Sequence, residues 1–153
     1  MAELRPGRYR LEIRSTRDPN RVDNKYATAK APDQPVRVER ESGNIQNQAW
    51  IVIPGPEPQV FIIKASGMNT DWTAWHNKED GLVILGQEKL FKVRPYSQDG
   101  PIQVNFVQPL DHPIMPGGDY LVGTEGDIVK ANRYPLDPEV DRPVWAFIPL
   151  LME

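Results

Sequence analysis

Short segments of the chain alternate apolar and polar residues. Tyr9, Leu11 and Ile13 alternate with charged residues, and apolar residues at 102, 104 and 106 alternate with Gln103 and Asn105. A period of two places successive side chains on opposite faces of a β-strand. These segments therefore predict strands that have one face in the core and one face in water.

Continuous apolar runs predict further strands. They occur at 50–53, 60–63 and 82–85, and each is short and has Gly or Pro close by, which favours a strand over a helix. Sixteen prolines in 153 residues are roughly twice the usual share. Because proline interrupts helix interiors and central strands, the elements must be short. The pattern predicts an all-β fold.

A weak internal repeat suggests how the strands are grouped. Trp50, Phe91 and Trp145 are each followed by a spacer and an apolar residue, and an alternating or apolar strand opens each unit. Three four-stranded units predict a β-trefoil, a pseudo-threefold barrel, as one domain over residues 1–153, although the pattern alone leaves another barrel or a sandwich open. The predicted inward residues are Tyr9, Leu11, Trp50, Val52, Val60, Ile62, Phe91, Val93, Val104, Trp145 and Phe147.

Composition narrows the functional classes. The chain has 18 basic and 21 acidic residues and a net charge of -3, which gives no general attraction to nucleic acid or to an acidic membrane. No apolar run approaches the ~20 residues of a membrane helix, and the first residues lack a signal-peptide layout. Without cysteine there is no disulfide, thiol nucleophile or thiolate metal site. We expect a cytoplasmic protein without nucleic-acid or membrane partners.

Catalytic motifs are missing from the sequence. His76 and His112 are the only imidazoles, and there is no His-Glu-x-x-His, nucleophile elbow or phosphate-binding glycine loop. The adjacent carboxylates Glu79 and Asp80 are typical of a solvated turn. We expect no enzyme, no cofactor and no metal.

Arginine is concentrated at the start of the chain. Six arginines between residues 3 and 21 outnumber three acidic residues, which could form a patch for a polyanion. However, no aromatic residues that could stack on bases interleave with them. We interpret this segment as the solvent face of a half-buried strand.

Two local motifs offer binding chemistry. Gln48-Ala49-Trp50 resembles the Gln-x-Trp repeat of ricin-B-type lectins but occurs only once, so we interpret Trp50 as a core residue. The segment from 66 to 72 follows an apolar strand and contains Asn69. It predicts either an ordinary Asn turn or a protruding recognition loop.

Several segments together, in this order and spacing, resemble the mycocypins, the mushroom cysteine-protease inhibitors, and in particular their clitocypin type. They are Gly7-Arg8-Tyr9-Arg10-Leu11, Tyr26-Ala27-Thr28, Pro35-Val36-Arg37-Val38-Glu39, Gln48-Ala49-Trp50, Gly67-Met68-Asn69-Thr70 and Asp141-Arg142-Pro143-Val144-Trp145-Ala146-Phe147.

The resemblance implies a monomeric β-trefoil whose loops inhibit proteases through two separate regions. Loops 18–25 and 42–47, after the first and third strands, would occlude papain-like proteases. The loop after the fifth strand would present Asn69 to legumain, the asparaginyl endopeptidase. The papain-like region comprises Val22, Asp23, Asn24, Lys25, Gly43, Asn44 and Ile45, and the legumain region comprises Gly67, Met68, Asn69, Thr70 and Asp71.

One departure from the family concerns the first loop. The resemblance implies paired glycines where this chain has Asp23 and Asn24, and these side chains add bulk and a charge that binding would desolvate. Two other functions stay open on the same fold. They are a carbohydrate-binding lectin and a serine-protease inhibitor, which would need Lys or Arg at a loop tip.

Overall fold

Proline- and glycine-containing turns divide the chain into short antiparallel strands. The computed structural model describes residues 4–41, 45–68, 71–110 and 118–150, which form twelve strands and one short 3₁₀ helix at Ile45–Gln48. The strands are β1 Gly7–Ser15, β2 Lys25–Thr28, β3 Arg37–Arg40, β4 Trp50–Pro54, β5 Val60–Ala65, β6 Ala74–Asn77, β7 Val83–Gly86, β8 Phe91–Asp99, β9 Ile102–Pro109, β10 Gly118–Glu125, β11 Ile128–Pro135 and β12 Pro143–Pro149.

Six of these strands close into a barrel. β1 pairs with β4 and β12, β5 pairs with β4 and β8, and β9 pairs with β8 and β12. The other six form the hairpins β2–β3, β6–β7 and β10–β11. Each third of the chain thus contributes two barrel strands and one hairpin, which is the β-trefoil that the sequence predicts. Within the described residues, no helix has the length and apolar character needed to cross a membrane.

Backbone hydrogen bonds join the three hairpins to one another. The Val36 amide donates to the Val83 carbonyl, and the Val129 amide donates to the Val36 carbonyl, both at 2.9 Å. All three valines are fully buried. The hairpins therefore form a continuous layer around the pseudo-threefold axis.

One tryptophan fills the centre of the core. The Trp75 ring meets Trp50, Phe91 and Trp145 edge-on, with ring centroids 5.8, 6.0 and 5.6 Å apart. These three aromatic residues come from β4, β8 and β12, one from each unit, and all are fully buried. The repeat read from the sequence is therefore a ring of aromatic residues around Trp75.

The other two units have smaller residues at the position of Trp75. Trp50 Nε1 donates to the Ala27 carbonyl and Trp145 Nε1 donates to the Val122 carbonyl, both at 2.9 Å. Ala27 and Val122 lie in β2 and β10 at the place that Trp75 has in β6. Trp75 Nε1 itself is buried with no hydrogen-bond partner among the described residues, which costs about 1–3 kcal/mol.

The predicted inward set is largely confirmed, but Ile62 is wrong. Ile62 is only half-buried, because β5 turns Phe61 and Ile63 inward instead. Val60 is buried but shares the face of Ile62, since it lies opposite Lys92 whereas Phe61 lies opposite the core residue Phe91. In the uninterrupted apolar run at 60–63 both faces of the strand are apolar. The pattern therefore does not show which face is inward.

Val104 is buried, but on the opposite face of β9 from the main core. It joins Phe106 and Leu121 in a second cluster where β10 packs against β9. Asn105 instead lies opposite Trp145 and so shares the inward face. The Asn105 amide is buried, and neither of its polar atoms has a partner among the described residues.

We expect Trp75→Ala to lower the free energy of unfolding by about 3–5 kcal/mol, because it empties the centre of the core. The matched control is Trp72→Ala, since the Trp72 side chain is 52% exposed. Its effect should stay within about 0.5 kcal/mol. Urea unfolding of both variants measures the difference, and equal losses would contradict the central role of Trp75.

Candidate functional site

A buried ion pair anchors the β1–β2 loop, residues 16–24. Arg14 Nε donates to Glu12 Oε1 at 2.7 Å, and both side chains are almost fully buried. Arg14 Nη1 also donates to the Pro19 carbonyl at 3.1 Å, and Glu12 Oε2 accepts from the Asn24 amide at 3.0 Å. The pair therefore fixes two points of the loop backbone to β1.

Burial of Glu12 and Arg14 corrects the expectation that this face of β1 lies in water. The β1–β2 loop covers the face, and its backbone supplies the additional hydrogen bonds that a buried ion pair needs. The sequence does carry one indication of this ion pair. Glu12 and Arg14 have opposite charges and, being two residues apart, share one face of a strand. Sequence reasoning assigned these two residues no role.

The end of this loop is accessible. Residues 20–25 are all exposed, and the Val22 side chain is 57% exposed. Asp23 pairs with Arg21 at 3.1 Å and Lys25 with Asp127 at 3.7 Å. Such exposed ion pairs contribute little to stability. Asp23 and Lys25 can therefore exchange these partners for groups on a bound protein at little cost in stability.

Asn24 has the backbone conformation that glycine favours. Its φ is 57°, in the left-handed region that Gly adopts freely and Asn tolerates. The Tyr26 hydroxyl donates to Asn24 Oδ1 at 3.3 Å. Residue 24 therefore has a conformation that glycine would adopt more readily than asparagine.

The second predicted papain-type loop leaves the same hairpin. Lys25 lies opposite Arg40 in the β2–β3 pair, so the residues that precede β2 and follow β3 are adjacent. Arg10 Nη1 pairs with Glu41 Oε1 at 2.9 Å, and the Arg10 guanidinium lies 4.4 Å from the Tyr26 ring centroid. The structure thus brings Lys25, at the end of the first loop, close to Arg40, which precedes the second loop.

Only part of that second loop is described. Gly43 and Asn44 lie outside the described residues, and Ile45 begins the 3₁₀ helix. At the helix end, Gln48 is fully buried and its Nε2 donates to the Arg40 carbonyl at 2.8 Å. Trp50 is a core residue, as predicted, so the Gln-x-Trp motif has a structural role here.

The base of the predicted legumain loop packs against this helix. A Cβ added to Gly67 would lie 3.0 Å from the Cβ and carbonyl oxygen of Gln46, so only glycine fits without a shift. The Ser66 amide donates to the Ala49 carbonyl at 3.0 Å. The bases of the two predicted binding regions therefore adjoin.

The predicted legumain residues have different environments. Met68 is partly buried against the core, and Asp71 is exposed. Asn69 and Thr70 lie outside the described residues. Trp72, which the sequence did not single out as a site residue, is exposed and has a φ of 68°, a rare conformation for a bulky residue.

A polar cleft of about 590 Å³ lies beside the β1–β2 loop. Tyr134 is half-buried at its wall, and burial raises the pKa of this phenol above its ordinary value of 10. The phenol therefore stays a neutral hydroxyl at physiological pH. We call this site the basic cleft; its lining is Ile13, Arg14, Ser15, Arg17, Asp18, Arg21, Asp23, Lys25, Thr124, Tyr134, Asp141, Arg142 and Pro143.

Asp80 and His76, two titratable residues noted in the sequence, lie close to nearby backbone groups. Asp80 Oδ1 accepts from the Leu82 amide at 3.0 Å within an exposed turn. His76 Nδ1 lies 3.2 Å from the Gln87 carbonyl oxygen. Across the described ranges, no group of three or more His, Asp or Glu side chains is placed to hold a metal ion.

Comparison with known proteins supports the fold. No protein-family model matches the chain, and no curated protein sequence does. A matching solved structure is the Polyporus squamosus lectin bound to a human-type influenza-binding epitope, Neu5Aca2-6Galb1-4GlcNAc. It shares 14% identity with a TM-score of 0.55 over 95% of this chain and 50% of that chain. This chain therefore spans about half of the lectin chain, and the likeness shows a shared β-trefoil fold.

We expect Glu12→Gln to lower the free energy of unfolding by about 3–5 kcal/mol, because it leaves the buried Arg14 charge uncompensated. Hydrogen exchange at the Asn24 amide should accelerate, since that amide loses its carboxylate acceptor. The control is Glu41→Gln, which breaks an exposed pair and should cost about 1 kcal/mol or less. Equal effects of the two substitutions on stability and exchange would contradict the anchoring role.

Proposed function

We propose that this protein is a monomeric, reversible inhibitor of cysteine proteases that acts through its loops. The observation that carries the proposal is the exposed segment 20–25 held on the buried Glu12–Arg14 pair. A loop that is already ordered loses little conformational entropy when it binds. A protease cleft could thus accept the loop in the shape that it has in the free protein.

The surface proposed to contact papain-like proteases combines Val22 to Lys25 with loop 42–47. Val22 offers an exposed apolar side chain, and Lys25 lies opposite Arg40, which is two residues before the second loop. The mycocypin resemblance of the flanking segments points to the same two loops. We propose that the loops enter the active-site cleft together.

We expect Asp23→Gly combined with Asn24→Gly to tighten papain inhibition by about threefold to tenfold, since it removes bulk and a charge that binding desolvates. The bond from residue 24 to Glu12 uses the backbone amide, which glycine retains. Inhibition constants for papain and a cathepsin measure the effect.

The matched control for the glycine variant is Asp33→Gly. Asp33 is exposed and has a φ of 66°, but it lies in the turn between β2 and β3. It should leave inhibition unchanged. Weaker papain inhibition by the double variant would contradict the proposed role of the first loop.

The second proposed contact is insertion of Asn69 into the legumain specificity pocket. The proposal rests on the family resemblance, and the fixed base of the loop at Gly67 and Met68 supports it. The Asn carboxamide carries two donors and one acceptor, so a pocket built for asparagine can pair each polar atom.

We expect Asn69→Ala to abolish measurable legumain inhibition, because each unpaired pocket group costs about 1–3 kcal/mol. Papain inhibition and thermal stability should stay almost unchanged. Asn24→Ala and Asn44→Ala are the matched controls, since both asparagines belong to loops assigned to the other region. An unchanged legumain constant for Asn69→Ala would exclude this loop.

Carbohydrate binding is the second candidate function. The specific observation is that the basic cleft combines the ring of Tyr134 with carboxylates of Asp18 and Asp141. An aromatic ring and an acid are the groups that lectin sites use for sugar rings and hydroxyls. The fold shared with the Polyporus squamosus lectin agrees with this candidate.

A further inference from the structure

We infer that the basic cleft binds a sugar acid, a saccharide that carries a carboxylate. This inference rests on the carbohydrate-binding candidate and names its ligand class, and it does not depend on protease inhibition.

Backbone hydrogen bonds join the two walls of the cleft. The Thr16 amide donates to the Arg142 carbonyl at 2.9 Å, and the Arg142 amide donates to Thr16 Oγ1 at 3.0 Å. The Arg17 amide donates to Asp141 Oδ1 at 3.2 Å. These bonds hold Arg17 and Arg142 on one side of the cleft although they are far apart in sequence.

Basic residues outnumber acidic residues in the lining of the cleft. Five of its lining residues are basic and three are acidic. Three of the basic residues, Arg14, Arg21 and Lys25, have their charges offset by the partners Glu12, Asp23 and Asp127. Arg17 and Arg142 are therefore the cations that remain to attract an anion.

Two guanidinium groups in the cleft lack a carboxylate partner. Arg14 pairs with Glu12 and Arg21 pairs with Asp23. No carboxylate of the described residues lies within ion-pairing distance of Arg17 or Arg142.

Arg142 is the less exposed of the two arginines. Its Nε is buried without a hydrogen-bond partner in the described part of the chain, so a ligand in the cleft would meet the terminal nitrogens of its guanidinium group. Among the described residues, Arg17 Nη2 makes a long bond of 3.5 Å to a backbone carbonyl. A carboxylate matches the planar fork of a guanidinium group.

Size and lining indicate that the anion belongs to a polyhydroxylated ligand. The volume of about 590 Å³ falls in the range of small-molecule sites, which is far larger than one carboxylate needs. Asp18 and Asp141 can accept hydrogen bonds from hydroxyl groups, and Tyr134 offers a ring and a neutral hydroxyl. A sugar ring with one carboxylate uses all of these groups.

The chain offers a matched control for Arg142. The guanidinium of Arg142 lies 5.0 Å from the Phe106 ring centroid, and that of Arg94 lies 5.1 Å from the same ring. Arg94 does not line the cleft and pairs with Asp119 at 3.2 Å. Loss of packing on Phe106 should therefore affect both variants, whereas loss of ligand binding should affect only Arg142→Gln.

The test is calorimetric titration of the full chain, at low ionic strength, with sodium glucuronate, N-acetylneuraminate, glucose and acetate. We expect at least one sugar acid to bind about tenfold or more tightly than either glucose or acetate. Arg17→Gln and Arg142→Gln should each weaken that binding about tenfold, and Arg94→Gln should not. Arg17 is exposed, so its variant tests the cleft even where Arg142→Gln unfolds.

Four results would overturn the inference. They are no binding of either acid at millimolar concentration, glucose bound as tightly as the acids, acetate bound as tightly as the acids, and unchanged affinity in Arg17→Gln. A glycan array distinguishes a failure of this inference from a failure of the carbohydrate-binding proposal on which it rests. Neutral glycans bound equally by the wild type and Arg17→Gln would support carbohydrate binding while overturning the assignment to this cleft.

Discussion

The contact of Trp75 with the three aromatic residues of β4, β8 and β12 is the constraint on which the remaining structure depends. A threefold barrel leaves one axial space, and one large ring fills it only when the equivalent residues are small, as Ala27 and Val122 are. Trp75 Nε1 is buried and has no hydrogen-bond partner among the described residues, so dense packing of this space must offset the cost of an unpaired donor. The pseudo-threefold core thus depends on Trp75, a large residue that only one of the three units carries at this position.

Glu12 and Arg14 connect the β1–β2 loop to the barrel. Both belong to β1, which pairs with β4 and β12, so their positions are set by the barrel itself. Their hydrogen bonds to Pro19 and Asn24 then fix the end of a loop whose Arg21–Asp23 ion pair is exposed. Burial of a charged pair is costly, and here the hydrogen bonds from the loop offset that cost.

Sequence periodicity predicted the strand pattern and the β-trefoil, but it could not identify every inward face. Ile62 lies in a continuous apolar run, in which neither face of the strand stands out as the inward one, whereas Val104 lies on a face of β9 that β10 covers. The loop positions followed from turn residues and family resemblance. The spacing of Glu12 and Arg14 allows an ion pair, but the cover of this pair by the loop and the lining of the basic cleft could not be predicted, since they depend on contacts between residues distant in sequence.

The β1–β2 loop contributes residues to both proposed sites. Asp23 and Lys25 belong to the surface proposed for papain-like proteases, and they also line the basic cleft together with Arg17 and Asp18. Both sites depend on the same anchor at Glu12 and Arg14. Because the two sites share residues and one anchor, a ligand in the cleft and a protease on the exposed end would bind the same segment of the chain.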